Sequence, residues 1–356
     1  MDKSKVFFTP LTEQDSDNDI RAKIAALWDK AGFAATIAQG DYVALKPHFG
    51  EEGNHNYVKA PLLMPLVEKI RTAGGKPFWT ETSTLYVGRR ANAIDHMLLA
   101  HEHGFGIEAT GIPTIFADGL TGRDEFKVAV KGRHAHEVRI AQGIAEANVL
   151  VLVTHATGHL ACGYGGAIKN LGMGLSSRRG KLYQHSVVKP FVKQKACKSC
   201  ETCIKWCPTG AIAMSAGKAV IDEKKCIGCG ECLAACRPGA IRFQWKIEST
   251  LLQERMAEQA MGVVASKRGK MACMTFIMDV GRDCDCLESR EKDVLIKRLG
   301  IAASTDPVAL DLAAIRLIEE RLGSPLRSKA YDIDFMPQIK YAAELGMGST
   351  DFETIS

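Results

Sequence analysis

An α/β fold, a sheet with helices on both faces interrupted by a small cysteine-rich module, is what these 356 residues predict. Three observations carry that expectation. Strand-like and helix-like segments alternate on both sides of the module, the order expected of a sheet with crossover helices. Eight of the twelve cysteines fall in two runs, CKSCETCIKWCP from Cys197 to Pro208 and CIGCGECLAACRP from Cys226 to Pro238. The last third has too few strands for its own sheet and is expected to complete the first part. The expected division is 1–189 for the first part of the α/β domain, 190–246 for the module and 247–356 for the second part. Three consecutive domains are the alternative.

In chain order, Asp41 to Lys46 (DYVALK) reads as a strand, Pro61 to Ala73 as a helix stopped by Gly74 and Gly75, and Lys76 to Thr82 as the next strand. His136 to Ala147 (HEVRIAQGIAEA) reads as helical, and Asn148 to Thr154 as a continuous apolar strand buried on both faces. Beyond the module, Ile247 to Ser266 carries a helical apolar stripe, and MACMTFIMDV is a strand. The last strong helix starts at Asp306 as N-cap with Pro307 behind it and ends at Gly323.

Composition narrows the class. With 46% hydrophobic and 24% charged residues the chain can bury a real core. Its longest apolar runs are strand-sized, so no membrane span is expected. The N-terminus lacks the pattern of a signal peptide, and so many thiols without one imply a reducing cytoplasm. Between Pro190 and Trp245 nine basic residues face four acidic ones, an excess equal to the whole formal charge of +5. That charge suits an acidic redox partner or merely offsets an anionic cofactor. Nucleic acid is a poor candidate, since the patch lacks interleaved stacking aromatics.

The cysteine spacing names a cofactor. In each run three cysteines recur every third residue and a fourth follows after three intervening residues, and the second run lies 29 positions after the first. Three thiolates on one tight loop can hold three irons of a cubane while the remote fourth ligates the other half's cluster, as in bacterial two-cluster ferredoxins. The expectation is two [4Fe-4S] clusters in a small α+β ferredoxin-like module. Cys197, Cys200, Cys203 and Cys236 form the first ligand set, and Cys226, Cys229, Cys232 and Cys207 the second. A zinc site does not need a third cysteine in each run, and disulfides three residues apart would be strained rings.

Outside the module the segment Thr154 to Gly180 (THATGHLACGYGGAIKNLGMGLSSRRG) holds seven glycines directly after the buried strand. Such a turn lets backbone N–H groups approach a ligand, or lets helix and strand pack closely. It matches neither a P-loop nor a dinucleotide fingerprint. Gly163, Gly165, Gly166 and Asn170 are the candidate ligand or anion loop, and Lys169, His155, His159 and His48 the candidate catalytic groups. Cys162, Arg178, Arg179 and His185 lie nearby. Lys46, His48, Glu81 and Thr82 at the ends of the first strands can face this loop, whereas Glu51 and Glu52 read as solvated. Cys284 and Cys286, two apart in GRDCDCLES, suit an additional metal, a redox dithiol or two inert loop positions, and Cys162 and Cys273 read as buried small hydrophobes.

TETSTLYVGRRANAIDH, GHLACGYGGAIKNLGMG, the cysteine runs, QERMAEQA, DCDC and ASTDPVALD together resemble the domain of unknown function 362 (DUF362) fused to a two-cluster ferredoxin module. The resemblance implies a cytoplasmic prokaryotic iron-sulfur protein with the interrupted architecture, and no settled reaction. The functional expectation is an iron-sulfur oxidoreductase that relays electrons through the clusters to a small, anionic substrate or to a further metal or organic cofactor in the α/β domain. The rival is a non-enzymatic electron carrier, or a metallocofactor maturation factor, docking on another redox protein.

Overall fold

The computed structural model describes residues 3–185, 189–243, 247–289 and 293–356, so the expected module boundary at 246 lies outside the described residues. Eight strands form the main sheet: β1 (Ser4–Pro10), β2 (Tyr42–Lys46), β3 (Lys76–Glu81), β4 (Thr114–Phe116), β5 (Val149–His155), β6 (Met271–Gly281), β7 (Val294–Ser304) and β8 (Phe352–Ile355). Their order is β8-β1-β7-β6-β5-β2-β3-β4. Strands from both flanks of the cysteine module therefore pair within one sheet. From β6 to β4 all neighbours run parallel, while β7 lies antiparallel between β6 and β1.

The apolar run of β5 sits at the sheet's centre for a plain reason. Leu150 and Leu152 enter the core on one face while Val149, Val151 and Val153 enter the core on the other. A strand with no polar side fits only where helices cover both faces. On the valine side lie α1 (Asp17–Lys30), α2 (Ala60–Thr72) and α3 (Ala93–Ala100), contributing Trp28, Leu66 and Ala100 among others. On the leucine side lie α4 (Ala167–Gly172), α6 (Ser249–Lys267), α7 (Pro307–Leu322) and α8 (Met336–Glu344), with α5 (Arg178–His185) between that layer and the cysteine module.

The caps of α7 are those the sequence predicts. Asp306 Oδ1 accepts from the backbone N–H groups of Val308 and Ala309 at 2.9 Å, and Gly323 ends the helix at φ 63°. One expectation is corrected. His136 to Ala147 is not a single helix: Glu137–Ala141 is a strand paired with Glu125–Ala129, and only Gln142–Glu146 is helical. Val138 and Ile140, both buried, alternate with polar residues at the strand period, which outweighs the helical propensity of the segment.

The module repeats itself in space as in sequence. Helix Thr202–Trp206 recurs as Glu231–Ala235, and strand residue Ile212 as Ile241. Ala211 N–H donates to Cys207 Sγ at 3.2 Å and Ala240 N–H to Cys236 Sγ at 3.1 Å. Left-handed backbone at Ser199 and Glu201 in one half corresponds to Gly228 and Gly230 in the other. Two short antiparallel pairs, Ile212–Ser215 with Lys218–Ile221 and Phe191–Val192 with Ile241–Arg242, complete it.

Candidate functional site

Because β2, β3, β5 and β6 run parallel, their carboxyl ends share one edge of the sheet, the edge where α/β sheets bind ligands. A cavity of about 460 Å³ opens there. Lys46 and His48 reach it from the end of β2, Glu81 and Thr82 from β3, His155 from β5, and Cys284, Asp285 and Cys286 from the loop after β6. Across from them stand His159, Gly165, Gly166, Lys169 and Asn170. The candidate residues from distant parts of the sequence thus converge on one space. Gly163 does not join them: at φ 74° it packs with its Cα toward the Ile333 carbonyl.

The glycines serve close packing more than ligand approach. A Cβ on Gly166 would lie 2.2 Å from Asp311 Oδ1, and one on Gly165 would lie 3.1 Å from the Lys169 side chain. Buried Asp311 accepts from Ala167 N–H at 2.6 Å and Ile168 N–H at 2.9 Å, which pins the start of α4. That helix presents Lys169 and Asn170 to the cavity. Asn170 Nδ2 donates to the Val153 carbonyl at 3.0 Å, and its Oδ1 accepts from Lys46 Nζ at 2.9 Å.

Part of the cavity wall is a buried charge network. Glu81 is bound by Lys46 at 2.5 Å on one oxygen and Arg90 at 2.6 Å on the other, all three nearly free of solvent. Burial opposes the Glu81 carboxylate, yet the two cations hold its pKa well below the ordinary range. Tyr86 Oη, itself near Arg90, donates to Glu51 at 2.8 Å. Glu51 is therefore half-buried and engaged rather than solvated, while Glu52 is exposed.

The cysteine loop is locked from behind. His155 donates from Nδ1 to both oxygens of Asp285 at 2.9 Å and from Nε2 to the Met278 carbonyl at 2.7 Å. With both nitrogens facing acceptors it is an imidazolium; burial works against the charge, but Asp285 outweighs it and raises the pKa. This histidine positions the loop rather than delivering protons. Asn54 Nδ2 donates to the Leu287 carbonyl at 2.7 Å and Glu51 N–H to the Asp285 carbonyl at 3.1 Å, fixing the same loop from the side.

The sign of its pH dependence follows. The imidazolium's stabilising share is complete below the ordinary histidine value of 6.5 and is lost as pH rises through the raised value, while Asp285's share, with a lowered pKa, fails only in acid below 3.8. His155→Gln is expected to cost about 2 kcal/mol at pH 6, since a hydrogen bond to a buried charge is weakened. Unfolding curves across pH should show the difference from wild type narrowing above neutrality. A pH-independent difference would refute the charged assignment.

Around the thiols the polarity is set by contact. His48 Nδ1 accepts from Gly50 N–H at 3.0 Å, so Nε2 carries the proton and donates to Cys286 Sγ at 3.4 Å. A hydrogen bond from Cys286 holds the Cys284 thiol down to about 6, burial opposes this, and the Lys169 ammonium assists. Burial works against the Lys169 ammonium, but the thiols of Cys284, Cys286 and Cys162 raise its pKa. His159 is pushed down to about 3 by burial and by Lys169 and is neutral, its Nδ1 accepting from the N–H groups of Ala161 and Cys162. Lys181, also on the cavity wall, is lowered by burial to about 8 and donates to Thr82 Oγ1 and the Ser83 carbonyl.

Two smaller cavities lie in the module. One is lined by Cys197, Cys200, Cys203 and Cys236, the other by Cys207, Cys226, Cys229 and Cys232. Each takes three cysteines from one run and the fourth from the other. Among the described residues no group of three or more His, Cys, Asp or Glu is spaced to converge on one metal ion. Thiolates of a cubane each bind a different iron and stand farther apart, so four cysteines around a hollow fit a cluster better than a single ion.

Module and cavity touch. Leu85, which lines the large cavity, and Leu182 of α5 belong to the same apolar cluster as Cys197, Cys203, Cys232 and Cys236. Arg90, Leu85, Lys181 and Asp285 were not singled out from sequence. Asp285 had a signal, an acid flanked by two cysteines; Leu85 and Lys181 acquire their places only through tertiary packing.

The family described as a domain of unknown function (DUF362) matches residues 43–316. No curated protein matches the chain. Among solved structures, the crystal structure of a Thermotoga maritima protein is similar at 9% identity and a TM-score of 0.46, the match covering 94% of this chain and 60% of that one. The lactate racemase apoprotein from Thermoanaerobacterium thermosaccharolyticum is similar at 11% identity and a TM-score of 0.43, over 89% of this chain and 56% of that one. The chain thus spans less than two thirds of either protein. Among the described residues no helix is long and apolar enough to cross a membrane.

Proposed function

The chain belongs to the DUF362 family, and we propose that it is an iron-sulfur oxidoreductase whose ferredoxin-like module feeds electrons to the cavity at the sheet edge. The observation that carries this reading is the shared apolar cluster, in which Leu85 and Leu182 join the cysteine cavities to the wall of the large one. Cys197, Cys200, Cys203 and Cys236 would hold one [4Fe-4S] cluster, and Cys226, Cys229, Cys232 and Cys207 the other. Clusters of this kind supply single electrons. Lys169, Lys181, Lys46 and Arg90 on the wall outnumber Glu81 and Asp285, which suits an anionic substrate. His159 and His48, whose Nδ1 atoms each accept a backbone N–H, are neutral and can orient a bound group by hydrogen bonding.

The crossed ligand sets make a sharp prediction. Anaerobically reconstituted protein is expected to hold about eight irons. Cys203→Ala combined with Cys236→Ala should leave about four, because both residues serve one cluster, whereas Cys203→Ala combined with Cys207→Ala should leave almost none. The reverse pattern would mean uncrossed sets, and an iron-free protein would remove the reading altogether.

A second reading has its own support. Lys193, Lys195, Lys198, Lys205, Lys224 and Lys225 are all exposed on the module, as docking on an acidic redox protein would require. A carrier of this sort would pass electrons outward, and Lys169→Ala would leave its electron transfer unchanged; the oxidoreductase would lose substrate reduction.

A further inference from the structure

We propose that Cys284 and Cys286 form a redox-active dithiol that reduces a small anionic disulfide held in the cavity by Lys169, and that the module returns the electrons. The second half rests on the cluster reading above; the first does not. Cys284 is buried at 5% exposure and lines the cavity together with Cys286, two residues along the same loop. His48 Nε2–H points at Cys286 Sγ from 3.4 Å. The His155–Asp285 pair holds the backbone between the two cysteines, which keeps both sulfurs on the cavity side.

A metal is disfavoured at this spot. No third ligand converges with the two sulfurs among the described residues, and Lys169 places a cation beside them. The same ammonium favours a thiolate and an anionic ligand. Its side chain lines the cavity beside the thiols, where the ammonium can meet the ligand. At about 460 Å³ the cavity admits a small molecule and not a folded partner.

The chemistry balances. The Cys284 thiolate attacks one sulfur of the substrate, forming a mixed disulfide and expelling the other half as a thiolate. That thiolate takes the Cys286 proton and leaves as a thiol. The Cys286 thiolate then attacks Cys284 Sγ, closing the Cys284–Cys286 disulfide and releasing the second half as a thiolate. Two electrons, one from each reduced cluster, with one proton from solvent restore the Cys284 thiolate and the Cys286 thiol.

The test uses the full-length protein purified without oxygen, reduced and freed of reductant. The anionic probe is 5,5′-dithiobis(2-nitrobenzoate) and the uncharged probe is 2,2′-dithiodipyridine. One equivalent of either should release both of its halves and reoxidise the visible cluster absorbance with the dithiol restored, and a second equivalent should leave a Cys284–Cys286 disulfide identified by peptide mass. Cys284→Ser and Cys286→Ser should each abolish the internal disulfide and leave the clusters reduced. Lys169→Met should slow the anionic probe about tenfold while changing the uncharged one less than about twofold, the loss of one unit charge beside the bound anion. If the clusters are present and reoxidise equally fast in Cys284→Ser protein, the dithiol is wrong. A non-iron metal that is lost with Cys284→Ser also overturns it. Should the protein carry no clusters and still form the internal disulfide, the dithiol stands and the cluster reading falls.

Discussion

Glu81→Gln is expected to lower the unfolding free energy by about 3–5 kcal/mol, the usual result of removing one partner from a buried ion pair. The carboxylate is 1% exposed and sits between Lys46 at 2.5 Å and Arg90 at 2.6 Å. A glutamine can accept from one of these cations, but its NH₂ group then faces the other. Lys46 keeps the Pro47 carbonyl at 2.7 Å and Asn170 at 2.9 Å, and Arg90 keeps Tyr86, so the residual charges are solvated by dipoles but not neutralised.

The pH behaviour of this variant differs from that of His155→Gln. Glu81 has a lowered pKa, so its contribution is present above the ordinary value of 4.5 and is lost only as pH falls through the depressed one. Denaturant titrations should therefore give the same deficit at pH 6 and pH 8. Adding Lys46→Met to Glu81→Gln should recover part of the loss, because one uncompensated cation is removed with its counter-charge. A deficit below about 1 kcal/mol in the single variant would show that the network is far better hydrated than its burial implies.

What the sequence made legible tracks how local each signal is. The caps of α7 are short-range: Asp306, Pro307 and Gly323 act on their own backbone, and the helix begins and ends where they stand. The apolar run of β5 announces a two-sided core without its partners. By contrast β7, VLIKRLGIAAS, mixes Lys297 and Arg298 into its middle, because that stretch lies toward the half-exposed end of an antiparallel strand. Neither the apolar run nor the alternation that marks other strands is present, so it went unrecognised, and the mixed character of the sheet with it.

The site divides the same way. Lys46, His48, Glu81, His155 and Cys284 were marked by lying at or just beyond strand ends, and parallel pairing brings those ends to one edge. Their roles were not so marked. That His155 clamps a loop while His159 stays neutral depends on Asp285 and Lys169, which lie 130 and 10 residues away along the chain. Charge state is a tertiary property, and spacing alone does not carry it.

Gly166→Ala is expected to be among the most damaging single-methyl changes in the chain, costing about 3 kcal/mol or more through overpacking and lost buried hydrogen bonds. Its φ of −131° lies outside the left-handed region that favours glycine, and the main cost is one of contact. The added carbon would sit 2.2 Å from Asp311 Oδ1 and 2.4 Å from the Tyr164 ring. Both neighbours are fully buried and cannot swing away. If Asp311 retreats, the Ala167 and Ile168 N–H groups lose their acceptor, and α4, which carries Lys169, loses its anchor. Gly165→Ala supplies the contrast, since its new carbon meets only the flexible Lys169 chain and the Thr157 hydroxyl, both at 3.1 Å. That variant should lose less than about 1 kcal/mol, because the neighbours can shift by a few tenths of an ångström, yet it should weaken binding of the proposed anionic ligand by displacing the ammonium. Equal losses of stability in the two variants would mean that the glycines act through backbone freedom after all, and that Asp311 does not set the position of Lys169.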